Sequence, residues 1–179
     1  MASEETILLK GARFDVHQMQ LQGRDGKTYA REVIRHRGAV VLLPVIDANT
    51  IVMIRNSRPT VGETLLELPA GTREENESAE LTAGRELIEE TGYSAGSLTP
   101  LHQFYSAPGI CDELMHLFLA TDLTAGDAAR EATEQIVNQI VTREEALELI
   151  ASGKIRDAKS LVGLYAFLYS PVVAEMIET

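Results

Sequence analysis

The chain has 179 residues, of which 45% are hydrophobic and 24% are charged, and its formal net charge is −11. These values are typical of one globular domain or one domain with a small appendage, and the acidic balance disfavours nucleic acid as a partner. A single cysteine, Cys111, excludes an intramolecular disulfide and a zinc ribbon. The longest apolar stretch, 39–46, is much shorter than the roughly 20 residues that a membrane span needs, and the acidic residues 1–5 lack a signal-peptide pattern. We therefore expect a cytoplasmic protein without a membrane partner.

The first predicted element is an antiparallel β-hairpin within residues 7–35. Apolar side chains alternate along parts of this segment, and the glycines and the aspartate at 23–26 suit its turn. A lone hairpin is marginally stable in water, so it should dock on its own chain or on a partner. We predict an N-terminal β element over residues 1–36, followed by one domain over 37–179.

Strands and helices are mixed along the rest of the chain. Short β-branched and leucine-rich runs predict strands at 38–45, 51–54, 65–69, 102–105, 115–120 and 136–141. Ser78 as N-cap and Gly92 as the residue after the C-terminus predict a helix over 78–91. A capping box at 142–145 begins a second helix that ends near Gly153, and a third helix is predicted over 157–169. This mixture predicts an α+β fold arranged as an α/β/α sandwich.

Three glutamates of the first predicted helix, Glu86, Glu89 and Glu90, lie on one face within an arc of about 100°. Arg85 can pair with Glu89 one turn away, but one arginine cannot neutralise three carboxylates. A hard divalent cation can, and Mg²⁺ is usual where phosphates supply further ligands. The lack of histidine and cysteine among these residues argues against zinc. In isolation, a solvated acidic face without a ligand is the more common meaning of such a pattern.

Gly84 lies near the middle of the opposite, apolar face of this helix. A glycine inside a helix is less stable than alanine by about 1 kcal/mol. We therefore expect that Gly84 allows the helix to approach a sheet closely.

A longer pattern surrounds these glutamates over residues 71–93. It contains, in order, Gly71, Glu77, Arg85-Glu86-Leu87, Glu89-Glu90 and Gly92-Tyr93. Without the bulky Leu87 and Tyr93, seven identities remain, and chance identity at seven positions, at roughly 6% average usage each, is on the order of 10⁻⁹ per start position. The pattern resembles the Nudix hydrolase box, with no departure at a fixed position.

The resemblance implies the Nudix fold, a mixed sheet between helices in which the box forms a loop–helix–loop. It also implies hydrolysis of a nucleoside diphosphate linked to another group. The implied cofactor is Mg²⁺, with Mn²⁺ as a possible substitute. The residues that it implies as metal ligands are Glu86, Glu89, Glu90 and the backbone carbonyl of Ala70. The remaining roles that it implies concern the shape of the site: Arg85 orients the acidic cluster, Glu77 braces the loop, and Gly71 and Gly92 supply the turns.

Outside the box, residues 106–113 resemble a loop of the ADP-ribose pyrophosphatase branch, in which a proline follows the box at about this distance. Pro108 lies 16 positions after Gly92 (108 − 92). The acidic end of the loop is implied to supply a base or a further ligand, with Glu113 preferred and Asp112 as the alternative. Glu89 of the box is a further candidate for the base, and Arg85 is implied to be catalytic with it. Without the box, an ordinary turn and a solvated acidic pair would explain these residues.

Further segments resemble the same branch, which includes hydrolases of GDP-mannose and other nucleotide sugars: residues 31–33, 56–59 leading to 67–71, and 155–160. Arg31, Glu32 and Arg58 are implied, with Pro108, to contact substrate, and charge-assisted hydrogen bonds suit the two arginines. Surface pairing of these arginines is an equal alternative. Residues 157–160 are interpreted as a helix start rather than as a site.

Three functions stay open. The first is Mg²⁺-dependent hydrolysis of ADP-ribose to AMP and ribose 5-phosphate, and the second is a GDP-mannose or other nucleotide-sugar pyrophosphatase. The third is a silent Nudix domain that senses ADP-ribose-type ligands, which we expect to lack box carboxylates or to carry a DNA-binding domain. All the box carboxylates are present and no length is left for a second domain, which favours an enzyme. Members of the branch are commonly homodimers, so residues 1–36 are interpreted as a dimer arm.

Overall fold

The N-terminal part of the chain forms a separate three-stranded antiparallel sheet. A computed structural model describes residues 5–130 and 135–177. Residues 1–4 of the predicted N-terminal element, and residues 131–134 and 178–179 of the predicted domain, lie outside the described part. The strands are β1 (Glu5–Lys10), β2 (Phe14–Gln22) and β3 (Thr28–His36), in that order. Strands β2 and β3 form the predicted hairpin, whose turn contains Gly26 with a φ of 78°. Strand β1 extends this hairpin by one strand that the sequence pattern did not predict.

The second sheet has seven strands and holds the main core. They are β4 (Ala39–Asp47), β5 (Thr50–Arg58), β6 (Glu63–Glu67), β7 (Ala70–Thr72), β8 (Tyr93–Tyr105), β9 (Leu114–Ala125) and β10 (Ile136–Thr142). The main path is β10-β5-β4-β9-β8, while β6 pairs with β5 and β7 pairs with β4. Strands β4 and β9 are parallel and all other pairs are antiparallel, so the sheet is mixed, as predicted.

Helices cover both faces of this sheet, because β4 is buried on both sides. Val40 and Leu42 face α1 (Ala79–Thr91), whereas Val41 and Leu43 face α2 (Arg143–Ala151), α3 (Ala158–Tyr169) and α4 (Pro171–Ile177). A continuous apolar run is typical of a strand that is covered on both faces. The predicted α/β/α sandwich is therefore confirmed.

The helix ends follow from local capping. Ser78 accepts the N–H of Leu81 at 3.2 Å, and Gly92 ends α1 with a φ of 79°. The predicted capping box joins Thr142 and Glu145 at the start of α2. Such side chains stabilise helix ends by satisfying backbone groups that the helix leaves unpaired.

One predicted strand is much longer in the structure, and one helix was not predicted. Strand β8 begins at Tyr93, although its first half contains Gly96 and Pro100, which have low strand propensity. It forms because β9 pairs with it along its length, with an irregularity between Pro100 and His102. Helix α4 was not predicted, and it packs Val173 into the core.

The expectation for Gly84 was also wrong. A Cβ atom at this position would meet Leu98 Cδ1 at 3.7 Å, which is ordinary van der Waals contact. The apolar face is partly open, since Leu81 is 68% and Ile88 is 42% exposed. Helix α1 therefore does not need a glycine in order to pack on the sheet.

The N-terminal sheet docks on the loop at 106–113 of its own chain. Ile34 donates its N–H to the carbonyl of Ile110 at 2.8 Å, and Asp112 donates its N–H to the carbonyl of Ile34 at 3.2 Å. All six residues of β1 are exposed. No described helix alone is long and apolar enough to cross a membrane; α3 and α4 meet that criterion only as a pair, bent by 71° at the break between them.

Candidate active site

Arg85 organises the carboxylates of the box. Its Nε and Nη2 donate to the two oxygens of Glu77, each at 3.0 Å, and its Nη1 donates to Glu86 at 2.8 Å and to Glu89 at 2.9 Å. The hydrogen bond from Arg85 is the largest cause that lowers the pKa of Glu77, to about 2, and the bond to Glu77 raises the pKa of Arg85. The sequence predicted one ion pair for Arg85, with Glu89. In the structure Arg85 makes three ion pairs, with Glu77, Glu86 and Glu89.

Glu77 also ties together the loop that precedes α1. It accepts the N–H of Glu74 at 3.0 Å and the hydroxyl of Thr82 at 2.8 Å. The loop therefore closes around one carboxylate, which is the geometry that a bracing residue needs.

Gly71 has a different physical role from the one that the resemblance implied. It lies within β7, and a Cβ atom there would be 1.9 Å from the carboxyl carbon of Glu86. Its importance is clearance for this carboxylate rather than a turn. Gly92, in contrast, does lie in a turn with positive φ, where a Cβ atom would be 2.6 Å from the carbonyl oxygen of Gly126.

The donor atoms in the box fit a hard divalent cation. Glu90 is buried and accepts the N–H of Ala70 at 2.8 Å, which brings the predicted carbonyl ligand to the same place. Glu86, Glu89, Glu90 and Ala70 all line one cleft of about 250 Å³, and hard cations prefer such oxygen donors. In residues 5–130 and 135–177, no three His, Cys, Asp or Glu side chains converge closely enough to hold a metal ion. Ligation of one ion would therefore require these carboxylates to move closer together.

We call the cleft of about 250 Å³ the box cleft. A larger cavity of about 500 Å³ adjoins it. The two share Arg58, Ala70, Gly71 and Thr72 as lining residues. Glu113 lines the cavity, and its carboxylate lies 3.5 Å from Nδ1 of His36. The arrangement offers a charged cleft for a diphosphate beside a cavity for one of the groups attached to it.

A buried network of charges forms one wall of the cavity. Arg58 donates to the two oxygens of Glu67 at 2.9 and 2.7 Å, and Lys159 donates to Glu67 at 2.6 Å and to Asp157 at 2.9 Å. The exposed fraction is only 1% for the side chain of Glu67 and 13% for that of Lys159. Burial raises the pKa of Glu67, but the two cations outweigh it and leave that pKa below its usual value.

The same wall joins α3 to the strand segment beside the box. Asp157 accepts the N–H of Ser160 at 3.0 Å, and the hydroxyl of Ser160 accepts the N–H of Leu68 at 2.7 Å. Leu68 lies two residues before Ala70. The first turn of α3 therefore helps to fix the position of the Ala70 carbonyl.

The family model described as NUDIX domain matches residues 35–162. The chain belongs to the Nudix family. This Nudix chain is 39% identical over 172 residues to the ADP-ribose pyrophosphatase of Bacillus subtilis (strain 168), covering 93% of the chain and 91% of that protein. It is 34% identical over 168 residues to the ADP-ribose pyrophosphatase of Mycobacterium tuberculosis (92% and 80% covered), and 31% identical over 160 residues to the GDP-mannose pyrophosphatase of Enterobacter sp. (strain 638) (80% and 83% covered).

A solved structure supports the fold. The Nudix chain superposes on a crystal structure of an ADP compounds hydrolase with a TM-score of 0.79. The match covers 92% of this chain and 90% of that one, at 22% sequence identity. The Nudix fold that the box implied is therefore confirmed.

Seven of the predicted site residues of this Nudix protein line the box cleft: Arg58, Ala70, Gly71, Arg85, Glu86, Glu89 and Glu90. Glu113 lines the adjoining cavity, whereas Asp112 accepts hydrogen bonds from Arg35 at 3.0 Å and from the N–H of His36 at 2.8 Å. The structure therefore gives the two neighbouring carboxylates different surroundings.

Three of the predicted substrate-binding residues lie elsewhere in this chain. Arg31 and Glu32 are on the exposed part of β3, where Glu32 accepts a hydrogen bond from Gln18 at 3.3 Å. Pro108 lines a smaller depression of about 300 Å³ against the N-terminal sheet, together with Met19 and Val33. Arg31, Glu32 and Pro108 are not among the described residues that line the box cleft or the adjoining cavity.

Sequence reasoning missed Glu67 and Lys159. Glu67 lies between Leu66 and Leu68, which both become core, and this was the available signal; Lys159 has no such neighbours. Buried charges are uncommon unless they are paired, so such positions predict a partner across the fold.

Proposed function

We propose that this Nudix protein hydrolyses ADP-ribose to AMP and ribose 5-phosphate with Mg²⁺ as cofactor and Mn²⁺ as a possible substitute. The observation that carries the proposal is one cleft that contains Glu86, Glu89, Glu90 and Ala70, beside a cavity lined by Glu113. The two relatives named ADP-ribose pyrophosphatase are more similar, at 39% and 34%, than the one named GDP-mannose pyrophosphatase, at 31%. GDP-mannose therefore remains the second candidate substrate.

The residues of the chain have separable roles in this reaction. Bound Mg²⁺ would neutralise charge on the diphosphate oxygens and make water more acidic. Arg85 holds Glu86 and Glu89 in place, and Arg58, fixed by Glu67, presents its remaining N–H groups to a phosphate. Glu113 would accept a proton from the water that attacks phosphorus.

The first experiment compares initial rates on four substrates with Mg²⁺: ADP-ribose, GDP-mannose, UDP-glucose and a diadenosine compound. Phosphate released by a coupling phosphatase reports turnover. A rate on ADP-ribose at least about tenfold above the others supports the proposal, because that ratio corresponds to a difference of about 1.4 kcal/mol in free energy. A higher rate on GDP-mannose would instead support the second candidate, a GDP-mannose pyrophosphatase. Tight binding of ADP-ribose without any turnover would instead support a sensing domain.

A matched pair of variants tests the base. We expect Glu113→Gln to lower kcat by about 10²–10⁴-fold, the usual contribution of general-base catalysis. Asp112→Asn is the control, because Asp112 is held by Arg35 and the N–H of His36. Equal losses in both variants would contradict the assignment of Glu113.

The homodimer and the cytoplasmic location belong to the same proposal. Ile7, Leu8 and Leu9 on β1 are each more than half exposed, which suits burial against a second copy. In such a dimer, Arg31 and Glu32 would reach the site of the other copy. Light scattering during gel filtration measures the mass, and a monomer at assay concentration would overturn the dimer.

A further inference from the structure

Two arginines of the N-terminal region line the box cleft of their own chain. Arg13 lies between β1 and β2, and Arg37 directly follows β3. Both line the same cleft of about 250 Å³ as Glu86, Glu89 and Glu90. The N-terminal region therefore reaches its own box, although Arg31 does not.

The side chains of these two arginines differ from those of the other arginines of the cleft in having no partner among the described residues. Arg85 and Arg58 are bound to carboxylates, and Arg73 donates to a backbone carbonyl of the box loop at 2.6 Å. Arg13 and Arg37 make no hydrogen bond or ion pair within residues 5–130 and 135–177. Their guanidinium groups can therefore bind an anion without first breaking a bond inside the described protein.

The surroundings of Arg13 and Arg37 are basic, unlike the protein as a whole. Both also line a depression of about 240 Å³ next to the box cleft, together with Lys10, His36 and Arg35, whose charge is paired with Glu5 and Asp112. Among the described residues that line this depression, Asp15 is the single acidic one. A local excess of positive charge in a chain of net charge −11 attracts an anion to this side of the cleft.

We propose that Arg13 and Arg37 bind the substrate's diphosphate on the side that faces away from the box helix. The inference rests on the proposed function, because it takes a diphosphate as the group that occupies the cleft. Guanidinium groups recognise phosphate oxygens through two parallel charge-assisted hydrogen bonds. The diphosphate would then lie between the cation-binding carboxylates of α1 and two unpaired arginines supplied by the N-terminal region of the same chain.

Kinetics of single variants test the contact. We expect Arg13→Gln and Arg37→Gln each to raise KM for ADP-ribose by about tenfold, because a hydrogen bond to a charged group contributes about that much. The value of kcat should stay within about threefold, because the two side chains are proposed to bind the diphosphate and not to transfer a proton. Arg24→Gln is the matched control: Arg24 is exposed, as Arg13 and Arg37 are, and it lies in the turn at the far end of the N-terminal sheet. An unchanged KM in both cleft variants would overturn the proposal.

Calorimetry with inorganic pyrophosphate and Mg²⁺ tests the same contact without turnover. The whole protein should bind pyrophosphate about 100-fold less tightly when both arginines are replaced by glutamine, and with a weaker dependence on salt. Equal affinity in wild type and double variant, or no binding to wild type, would overturn the inference even in an active enzyme. If binding depends on the two arginines but no nucleotide sugar is hydrolysed, the proposed function fails and the anion site stands.

Discussion

Replacing Gly71 by alanine should displace the carboxylate of Glu86. The added Cβ atom would lie 1.9 Å from the carboxyl carbon and 2.0 and 2.3 Å from the two oxygens, whereas ordinary contact begins at 3.4 Å. The two groups must therefore separate by about 1.5 Å (3.4 − 1.9). Because Arg85 holds Glu86 on α1, we expect both the carboxylate and β7 to shift. A misplacement of about 1 Å at a site can lower the rate on the order of 10²-fold, and overpacking destabilises a fold by about 1–3 kcal/mol.

Two measurements and one control variant test this reasoning. We expect Gly71→Ala to lower kcat/KM for ADP-ribose by about 100-fold and the free energy of unfolding in urea by about 1–3 kcal/mol. Gly84→Ala is the control, because its Cβ atom would meet Leu98 at an ordinary 3.7 Å. That variant should keep wild-type activity and gain up to about 1 kcal/mol in stability. Activity of Gly71→Ala within about threefold of wild type would refute the clearance argument.

Three further changes have defined outcomes. The hydrogen bond from Arg85 lowers the pKa of Glu77 from 4.5 to about 2, so its stabilisation is complete above pH 4.5 and is lost as pH falls towards 2. The Tm difference between wild type and Glu77→Gln should therefore shrink over that range, and a constant difference would contradict this explanation. Lys159→Met removes one of the two cations that bind buried Glu67 and should lower the free energy of unfolding, measured in urea, by about 3 kcal/mol. Lys159→Arg should restore part of that stability. A loss below about 1 kcal/mol would show that Arg58 alone is enough to stabilise Glu67. Glu90→Gln should abolish turnover with the melting curve unchanged, because the amide oxygen can still accept the backbone hydrogen bond; activity within a few-fold of wild type would exclude a ligand role.

Features with a local cause were predictable from the sequence. The caps at Ser78 and Gly92 define α1, because each acts on backbone groups within its own turn. The box pattern then placed Glu86, Glu89 and Glu90 on one helix, and the structure brings them to one cleft.

Features that depend on distant partners were not predictable in the same way. The first half of β8 has low strand propensity, and β9 supplies the pairing that makes it a strand. The bond between Lys159 and Glu67 joins residues 92 positions apart, so no sequence spacing indicates it. The different surroundings of Asp112 and Glu113 depend on how the loop docks against Arg35 and His36.

The role of Gly71 shows a limit of motif reasoning. The motif correctly marks a position where only glycine fits, but it does not state which atom fills the space. In this structure that atom belongs to Glu86, 15 positions later (86 − 71), and φ at Gly71 is not in the left-handed region.

The bond between the hydroxyl of Ser160 and the N–H of Leu68 has a consequence for how the enzyme matures. A ribosome makes the chain from its N-terminus, so Leu68 and the box emerge well before Ser160. The chain must grow by 92 residues beyond Leu68 before this bond can form. Contacts between distant segments also form late in folding because closing the intervening loop is entropically costly. A nascent chain would therefore contain the complete acidic helix while the strand beside it is still unanchored, and we expect hydrolytic activity to begin only after Ser160 has left the ribosome.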